Sequence, residues 1–88
     1  MSERTAVVAA HVGLHARPAA LFAHAAAATG IPVTLTSEAG TTVNAASILG
    51  VLSLGINHGA TVTLNAEGEG ADEALESLVA LLESDREN

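Results

Sequence analysis

Four stretches of the chain predict a β-strand with one buried face, and apolar and polar residues alternate cleanly in two of them, residues 33–36 and 61–67. We expect these strands over residues 5–10, 33–36, 41–44 and 61–67. The last is the clearest, because Val62, Leu64 and Ala66 alternate with polar residues. The polar positions of the strands are rich in threonine, which indicates a sheet that is covered on one face only.

Helical spacing of apolar residues predicts one helix over residues 19–29 and another at the end of the chain. Leu21, Phe22 and Ala25 form the expected apolar stripe of the first helix, and Gly30 is well placed to end it. The last helix is expected to take Asp72 as its N-terminal cap. Its apolar stripe consists of Leu75, Leu78, Val79 and Leu82.

A short helix is predicted over residues 48–54, capped by Ser47 and closed by Gly55. This stretch has more large apolar residues than one face of a short helix can bury. Some of the side chains at the following positions should therefore be exposed, where a cluster would mark a contact surface: Ile48, Leu49 and Leu52.

The predicted order of elements is β-α-β-β-α-β-α in a single domain that spans residues 1–88. Because every strand has one apolar face, the helices should all cover the same side of the sheet. Right-handed connections then favour a four-stranded antiparallel sheet with three helices on one face. The expected fold is an α+β, open-faced two-layer β-sandwich.

Composition excludes several classes of function. The 88 residues include no cysteine, so there is no disulfide framework and no zinc–thiolate site. The net charge is −7, lysine is absent, and from residue 5 to 66 the only formal charges are Arg17 and Glu38, which argues against nucleic-acid binding. No apolar run is long enough to span a bilayer and no signal-peptide layout is present, so we expect a cytoplasmic protein without membrane partners.

The strongest chemical signal is the stretch over residues 13–18, Gly-Leu-His-Ala-Arg-Pro, at the start of the first helix. Pro18 suits the first turn, where its missing N–H costs nothing. An imidazole from His15, a guanidinium from Arg17 and the free N–H groups of Ala16 and Arg17 would converge on a small volume that suits a phosphoryl group. Both the helix N-terminus and Arg17 disfavour the imidazolium, which keeps a ring nitrogen of His15 available as a nucleophile.

Isolated His-x-Arg triplets are common, but here the glycine before, the proline after and the helix register agree on a functional site at His15.

The other histidines support a plainer interpretation. His11 and His58 are expected at a strand end and in a turn, whereas His24 could face a partner. No two histidines stand at i, i+4 on a predicted helix, since His11 and His15 precede the first one, and no acidic cluster joins them, so we expect no metal.

Residues 13–18 resemble the active-site signature of HPr, the histidine-containing phosphocarrier family of the bacterial phosphoenolpyruvate-dependent sugar phosphotransferase system. Residues 43–55, Val-Asn-Ala-Ala-Ser-Ile-Leu-Gly-Val-Leu-Ser-Leu-Gly, are similar to the serine-site segment and second helix of the same family. The resemblance implies strand order 1-4-2-3. It also implies phosphorylation on Nδ1 of His15 by Enzyme I and transfer to EIIA-type proteins, with phosphoenolpyruvate as the upstream source and no cofactor.

The resemblance further implies that the first two helices dock on partners and that an HPr kinase phosphorylates Ser47 in many relatives. The expected docking residues are Ile48, Leu49, Leu52 and His24. Where many relatives carry basic residues, this chain has His24, Ala27 and Leu49, so docking should rely on apolar contact and depend weakly on salt.

Three alternatives remain open beside a stoichiometric, non-enzymatic sugar carrier that is monomeric. One is a paralogous carrier in a nitrogen-related or dihydroxyacetone relay with the same chemistry. Another is a regulatory protein that binds transcriptional regulators through phospho-Ser47. The third is a small-ligand-binding α+β module without covalent chemistry.

Overall fold

A computed structural model describes residues 2–8, 16–56 and 59–83, and of residues 16–18 it describes the backbone alone. Seven elements follow one another in the predicted order, which is thereby confirmed. They are β1 (Ser2–Val7), α1 (Ala16–Ala28), β2 (Val33–Thr36), β3 (Thr42–Asn44), α2 (Ile48–Ser53), β4 (Thr61–Ala66) and α3 (Ala71–Leu82).

The four strands form one antiparallel sheet in the order β1-β4-β2-β3, which confirms the expected topology. The register aligns four threonines in a row across the sheet: Thr5, Thr63, Thr36 and Thr42. The hydroxyls of Thr36 and Thr42 are hydrogen-bonded at 2.8 Å. This threonine-rich face is the open one, because all buried strand residues point to the other side.

The helices cover the apolar face of the sheet and enclose one core. Phe22 of α1 is the only aromatic residue of the chain and is 1% exposed. Around it lie residues from all three helices and from the strands, among them Leu35, Leu64, Leu75 and Leu78. The predicted α+β, open-faced two-layer sandwich is confirmed. None of the side chains described is both buried and polar, so this core is entirely apolar.

The first strand is displaced from its predicted position. It was expected over residues 5–10 but spans Ser2–Val7, and all six of its residues pair with β4, from Ser2 opposite Ala66 to Val7 opposite Thr61. The partner strand therefore sets its extent, and β4 itself ends at Ala66 rather than at residue 67. The predicted inward positions Ala6 and Val8 are buried, and residues 9–10 lie outside the described ranges.

Helix α1 begins at Ala16, three residues before its predicted start. Its buried face is made of Ala19, Phe22, Ala23 and Ala26, which recur at i, i+3, i+4 and i+7. Leu21 lies off this face and is 54% exposed, so its assignment to the apolar stripe was wrong. The predicted end at Gly30 is confirmed, since Gly30 has a φ of 77°.

Helix α3 begins at Ala71, and Gly70 occupies its cap position with a φ of 82° and no side-chain hydrogen bond. The prediction that Asp72 caps this helix was therefore wrong. Glycine reaches the left-handed conformation without steric cost, which lets the chain enter the helix earlier. Asp72 lies in the first turn instead, where its Oδ1 accepts hydrogen bonds from Ser2 Oγ at 2.5 Å and from Arg4 Nη2 at 3.4 Å.

Candidate functional site

The residue that follows strand β1, on the way to the His15 motif, is held by two backbone hydrogen bonds. The N–H of Val8 donates to the carbonyl of Ala60 at 2.8 Å, and the N–H of Gly59 donates to the carbonyl of Val8 at 2.8 Å. Gly59 has a φ of 87°, which fits the predicted turn, although His58 lies outside the described residues. Residues 9–15, with His11 and His15, also lie outside them.

The helix on the other side of the motif starts where the phosphoryl-binding prediction needs it to start. Because α1 begins at Ala16, the backbone N–H groups of Ala16 and Arg17 belong to its first turn and have no acceptor within the helix. Pro18 stands in the same turn and has no N–H to lose. The helix dipole adds positive potential at this end. The backbone is thus suited to an anion, while the meeting of His15 with Arg17 stays a prediction.

Ser47 caps α2 as the sequence predicts. Its backbone is extended, with φ −98° and ψ 115°, and its Oγ accepts a hydrogen bond from the N–H of Gly50 at 3.0 Å. Asn44 stabilises the turn before Ser47, because its side-chain oxygen accepts a hydrogen bond from the N–H of Ala46 at 2.9 Å. The capping role is confirmed. Phosphorylation of Ser47 stays a prediction.

Helix α2 has more large apolar residues than one face can bury, and it exposes some of them as predicted. Val51 is fully buried, whereas Leu49 is 80% exposed and Ile48 is 45% exposed. Leu52 is half-buried and packs against the core, so it offers only part of its surface. Close packing of α2 on the sheet explains the glycine in its middle. A Cβ on Gly50 would lie 3.2 Å from the Cβ of Val43.

Helix α1 packs against α2 and exposes His24 beside the apolar residue Leu21. Leu21 is a surface residue that its sequence pattern did not indicate, because the pattern favours a place for Leu21 in the buried stripe. The spacing of Ala19, Ala23 and Ala26 around Phe22 is the signal that would have found it. We call the exposed parts of Leu21, His24, Ile48, Leu49 and Leu52 the α1–α2 surface.

Charge is distributed very unevenly between this surface and the rest of the chain. Apart from Arg17, neither α1 nor α2 contains a residue with a formal charge. Eight of the ten acidic residues follow residue 66, and α3 contains Asp72, Glu73 and Glu76. The α1–α2 surface is therefore apolar and nearly neutral, whereas the exposed side of α3 is acidic.

Two further observations concern other kinds of site. Within residues 2–8, 16–56 and 59–83, no three His, Asp or Glu side chains lie close enough together to hold a metal ion. No helix in the same ranges is both long and apolar enough to cross a bilayer.

Comparison with known families matches residues 2–84 to the family described as "PTS HPr component phosphorylation site". Phosphocarrier protein HPr of Streptomyces coelicolor is 50% identical over 82 residues, which cover 93% of this chain and 88% of that protein. The HPr-like protein Crh of Halalkalibacterium halodurans is 41% identical, over 97% of this chain and all of that protein.

A solved structure shows the same fold. The crystal structure of a phosphocarrier protein HPr from Bacillus anthracis superimposes with a TM-score of 0.87 at 41% identity, covering 92% of this chain and 95% of that one. An open-faced sandwich with a helix starting directly after a Gly-Leu-His motif defines the class of small histidine phosphocarriers. The chain belongs to the HPr family of the phosphotransferase system. Family membership supports a phosphocarrier role.

Proposed function

We propose that this chain accepts a phosphoryl group from phosphohistidine on Enzyme I at Nδ1 of His15 and passes it to EIIA-type proteins. The start of α1 at Ala16 carries this proposal, because it supplies free backbone N–H groups one residue after His15 in the sequence. The family match over residues 2–84 supports it independently. The protein then acts as a stoichiometric carrier, which its partners turn over, rather than as an enzyme.

The transfer exchanges one nitrogen–phosphorus bond for another. The bond on Enzyme I breaks and its electron pair returns to that imidazole, while the lone pair of Nδ1 of His15 forms the new bond to the same phosphorus. No water, metal or cofactor is consumed, and phosphoenolpyruvate enters only upstream, through Enzyme I. The guanidinium of Arg17 and the N–H groups of Ala16 and Arg17 would neutralise the phosphoryl oxygens.

The α1–α2 surface is the proposed docking surface for both partners. Leu49 and Ile48 supply apolar contact area, Leu52 supports them from the core side, and His24 and Leu21 extend the surface along α1. Because this surface has almost no formal charge, binding should change little with ionic strength.

The chemistry is tested by incubating the protein with phosphoenolpyruvate and Enzyme I and measuring its intact mass. We expect one phosphoryl group that is lost on acid treatment. The variant His15→Ala should gain none, whereas His24→Ala should gain one. Arg17→Ala should slow the transfer without unfolding the protein. An unmodified wild-type protein would contradict the proposal and favour the ligand-binding alternative. A phosphoryl group that survives acid would contradict it as well, because phosphohistidine is acid-labile.

The same assay separates the sugar branch from its paralogues. Replacing Enzyme I by the donor of a nitrogen-related or dihydroxyacetone relay should give much slower phosphorylation if this is a sugar carrier. Faster phosphorylation by the paralogous donor would place the chain in the other relay.

Regulation through Ser47 is a second candidate function. The match to the HPr-like protein Crh over its whole length favours it. A phosphate at the cap of α2 would be stabilised by the helix dipole but would place strong negative charge beside Ile48 and Leu49. Incubation with an HPr kinase and ATP should then yield an acid-stable phosphoryl group that is absent from Ser47→Ala. Its absence from the wild type would exclude this role.

A further inference from the structure

We propose that Glu38 is a positioning residue for the segment that carries His15, an inference that rests on the proposed function. Glu38 lies in the turn between β2 and β3 and is the only acidic residue between residues 4 and 66. Its carboxylate oxygen Oε2 accepts a hydrogen bond from the backbone N–H of Thr61 at 2.7 Å. These two residues are 23 positions apart, so the contact ties two separate parts of the sheet together.

Thr61 lies beyond the end of the backbone pairing between β2 and β4. The β2–β4 ladder ends where Thr36 pairs with Thr63, and β4 starts two residues earlier, at Thr61. Continuing the same register by two residues would bring Glu38 opposite Thr61. The side chain of Glu38 therefore accepts the hydrogen bond from Thr61 at a position where the backbone of β2 no longer pairs with β4. The acceptor is charged, which strengthens a hydrogen bond, although both residues are exposed to solvent that screens this charge.

The turn that presents Glu38 is itself held by hydrogen bonds. The N–H of Ser37 donates to the carbonyl of Thr41 at 2.9 Å, and the N–H of Gly40 donates to the carbonyl of Ser37 at 2.9 Å. Gly40 has a φ of 93°, which glycine adopts without strain. Glu38 thus lies in a turn that is stabilised by backbone hydrogen bonds, and its carboxylate links Thr61 to the β2–β3 hairpin.

The start of β4 in turn fixes the end of β1. Ala60, directly before Thr61, accepts the N–H of Val8, and Gly59 donates to the carbonyl of Val8, both at 2.8 Å. Val8 is the last residue described before the segment that contains His15. The contacts therefore run from Glu38 through Thr61 and Ala60 to the residue from which this segment departs.

The consequence concerns the rate of transfer rather than the binding of partners. In-line phosphoryl transfer depends on placing the attacking nitrogen accurately, and small displacements cost large factors in rate. The α1–α2 surface includes neither Glu38 nor Thr61. Loss of the Glu38 contact should therefore lower the maximal rate of phosphorylation and leave the half-saturating concentration of Enzyme I unchanged.

The experiment compares three variants in the full-length protein. Glu38→Ala removes the acceptor, Glu38→Gln keeps an oxygen in its place without the charge, and Glu67→Ala removes an exposed acid just beyond the opposite end of β4. The measurements are amide hydrogen exchange at Thr61, the chemical shifts of residues 9–15, and the dependence of His15 phosphorylation on Enzyme I concentration. Urea unfolding checks that each variant is folded under assay conditions.

For Glu38→Ala we expect the Thr61 amide to exchange about tenfold faster, since a hydrogen bond to a charged group is lost. The maximal transfer rate should fall by about three- to tenfold. The shifts of residues 9–15 should move, Glu38→Gln should recover most of each effect, and Glu67→Ala should cause none.

An unchanged transfer rate in Glu38→Ala, with faster exchange at Thr61, would overturn the inference and leave Glu38 a structural contact. An equal change in Glu67→Ala would overturn it as well, since a general charge effect would then be at work. Wild-type protein that accepts no phosphoryl group would overturn the proposed function and this inference with it. The exchange of the Thr61 amide would still show whether the hydrogen bond exists, so the two failures can be told apart.

Discussion

Helices α2 and α3 lie in the same layer but use their apolar residues in opposite ways. In α3, Leu75, Leu78 and Leu82 are at most 2% exposed, and the charged residues face outward. In α2, only Val51 is buried, no residue is charged, and Leu49 is 80% exposed. A buried leucine stabilises the fold, whereas an exposed one contributes little to folding and is available to another protein. We infer that α3 is a scaffold and that α2 is a contact element.

The largest difference between the two helices should be in stability. Leu75→Ala in α3 removes a fully buried side chain and leaves a cavity, so the free energy of unfolding should fall by about 2–5 kcal/mol. Leu49→Ala in α2 should change it by less than about 0.5 kcal/mol. Urea unfolding of the two variants beside the wild type measures both effects. Similar losses in the two variants would show that the helices do not divide their roles in this way.

Leu49 should instead matter for binding. Leu49→Ala should weaken the affinity for Enzyme I by about tenfold, because it removes most of a large exposed apolar side chain from the proposed docking surface. The matched control is Leu81→Ala, which removes an exposed leucine, 38% accessible, from α3. Titration calorimetry with Enzyme I gives both affinities. If Leu81→Ala weakens binding as much as Leu49→Ala does, the contact surface is not confined to α1 and α2.

The two helices also begin differently, and the cap of α2 can be tested directly. Ser47→Ala leaves the N–H of Gly50 without its acceptor and should lower the free energy of unfolding by about 1 kcal/mol. Ser47→Asp keeps a capping oxygen and should restore most of that loss. The two stabilities are obtained from urea unfolding. A Ser47→Ala protein as stable as the wild type would mean that the cap contributes nothing.

The features predicted correctly from the sequence are those that depend on neighbours along the chain. The alternation in residues 61–67 marks a strand, and Ser47 before an apolar run marks a helix start. The excess of apolar residues in α2 predicts its exposed Ile48 and Leu49, which the structure confirms. The motif around His15 is equally local, and its predicted chemistry awaits experiment.

The features that the sequence did not reveal depend on distant partners. Pairing with β4 sets the extent of β1, so alternation alone misplaced that strand by three residues. The misassignment of Leu21 is an exception, because the local spacing of the alanines around Phe22 already places Leu21 off the buried face of α1. Contacts such as Glu38 with Thr61 and Ser2 with Asp72 join residues far apart in the sequence. No local sequence pattern predicts such long-range hydrogen bonds.

The smallest effect is expected at the start of α3, where Asp72 ties the helix to β1. The hydrogen bond from Ser2 lowers the pKa of Asp72 below its usual value of 3.8, with the positive charge of Arg4 adding to the effect. A lowered pKa means that the folded protein favours the ionised carboxylate. Its stabilising contribution is therefore complete above the ordinary pKa and is lost as pH falls through the lowered one.

The test compares Asp72→Asn with Glu73→Gln in urea unfolding from pH 7 down to pH values below 3.8. Both variants remove one acid from the first turn of α3, but only Asp72 accepts hydrogen bonds from Ser2 and Arg4. Asp72→Asn should be the less stable of the two at pH 7, by a small amount because these side chains are solvent-exposed. The difference should vanish at the acidic end of the range. A difference that stays constant with pH would mean that the ionised carboxylate does not fasten α3 to β1.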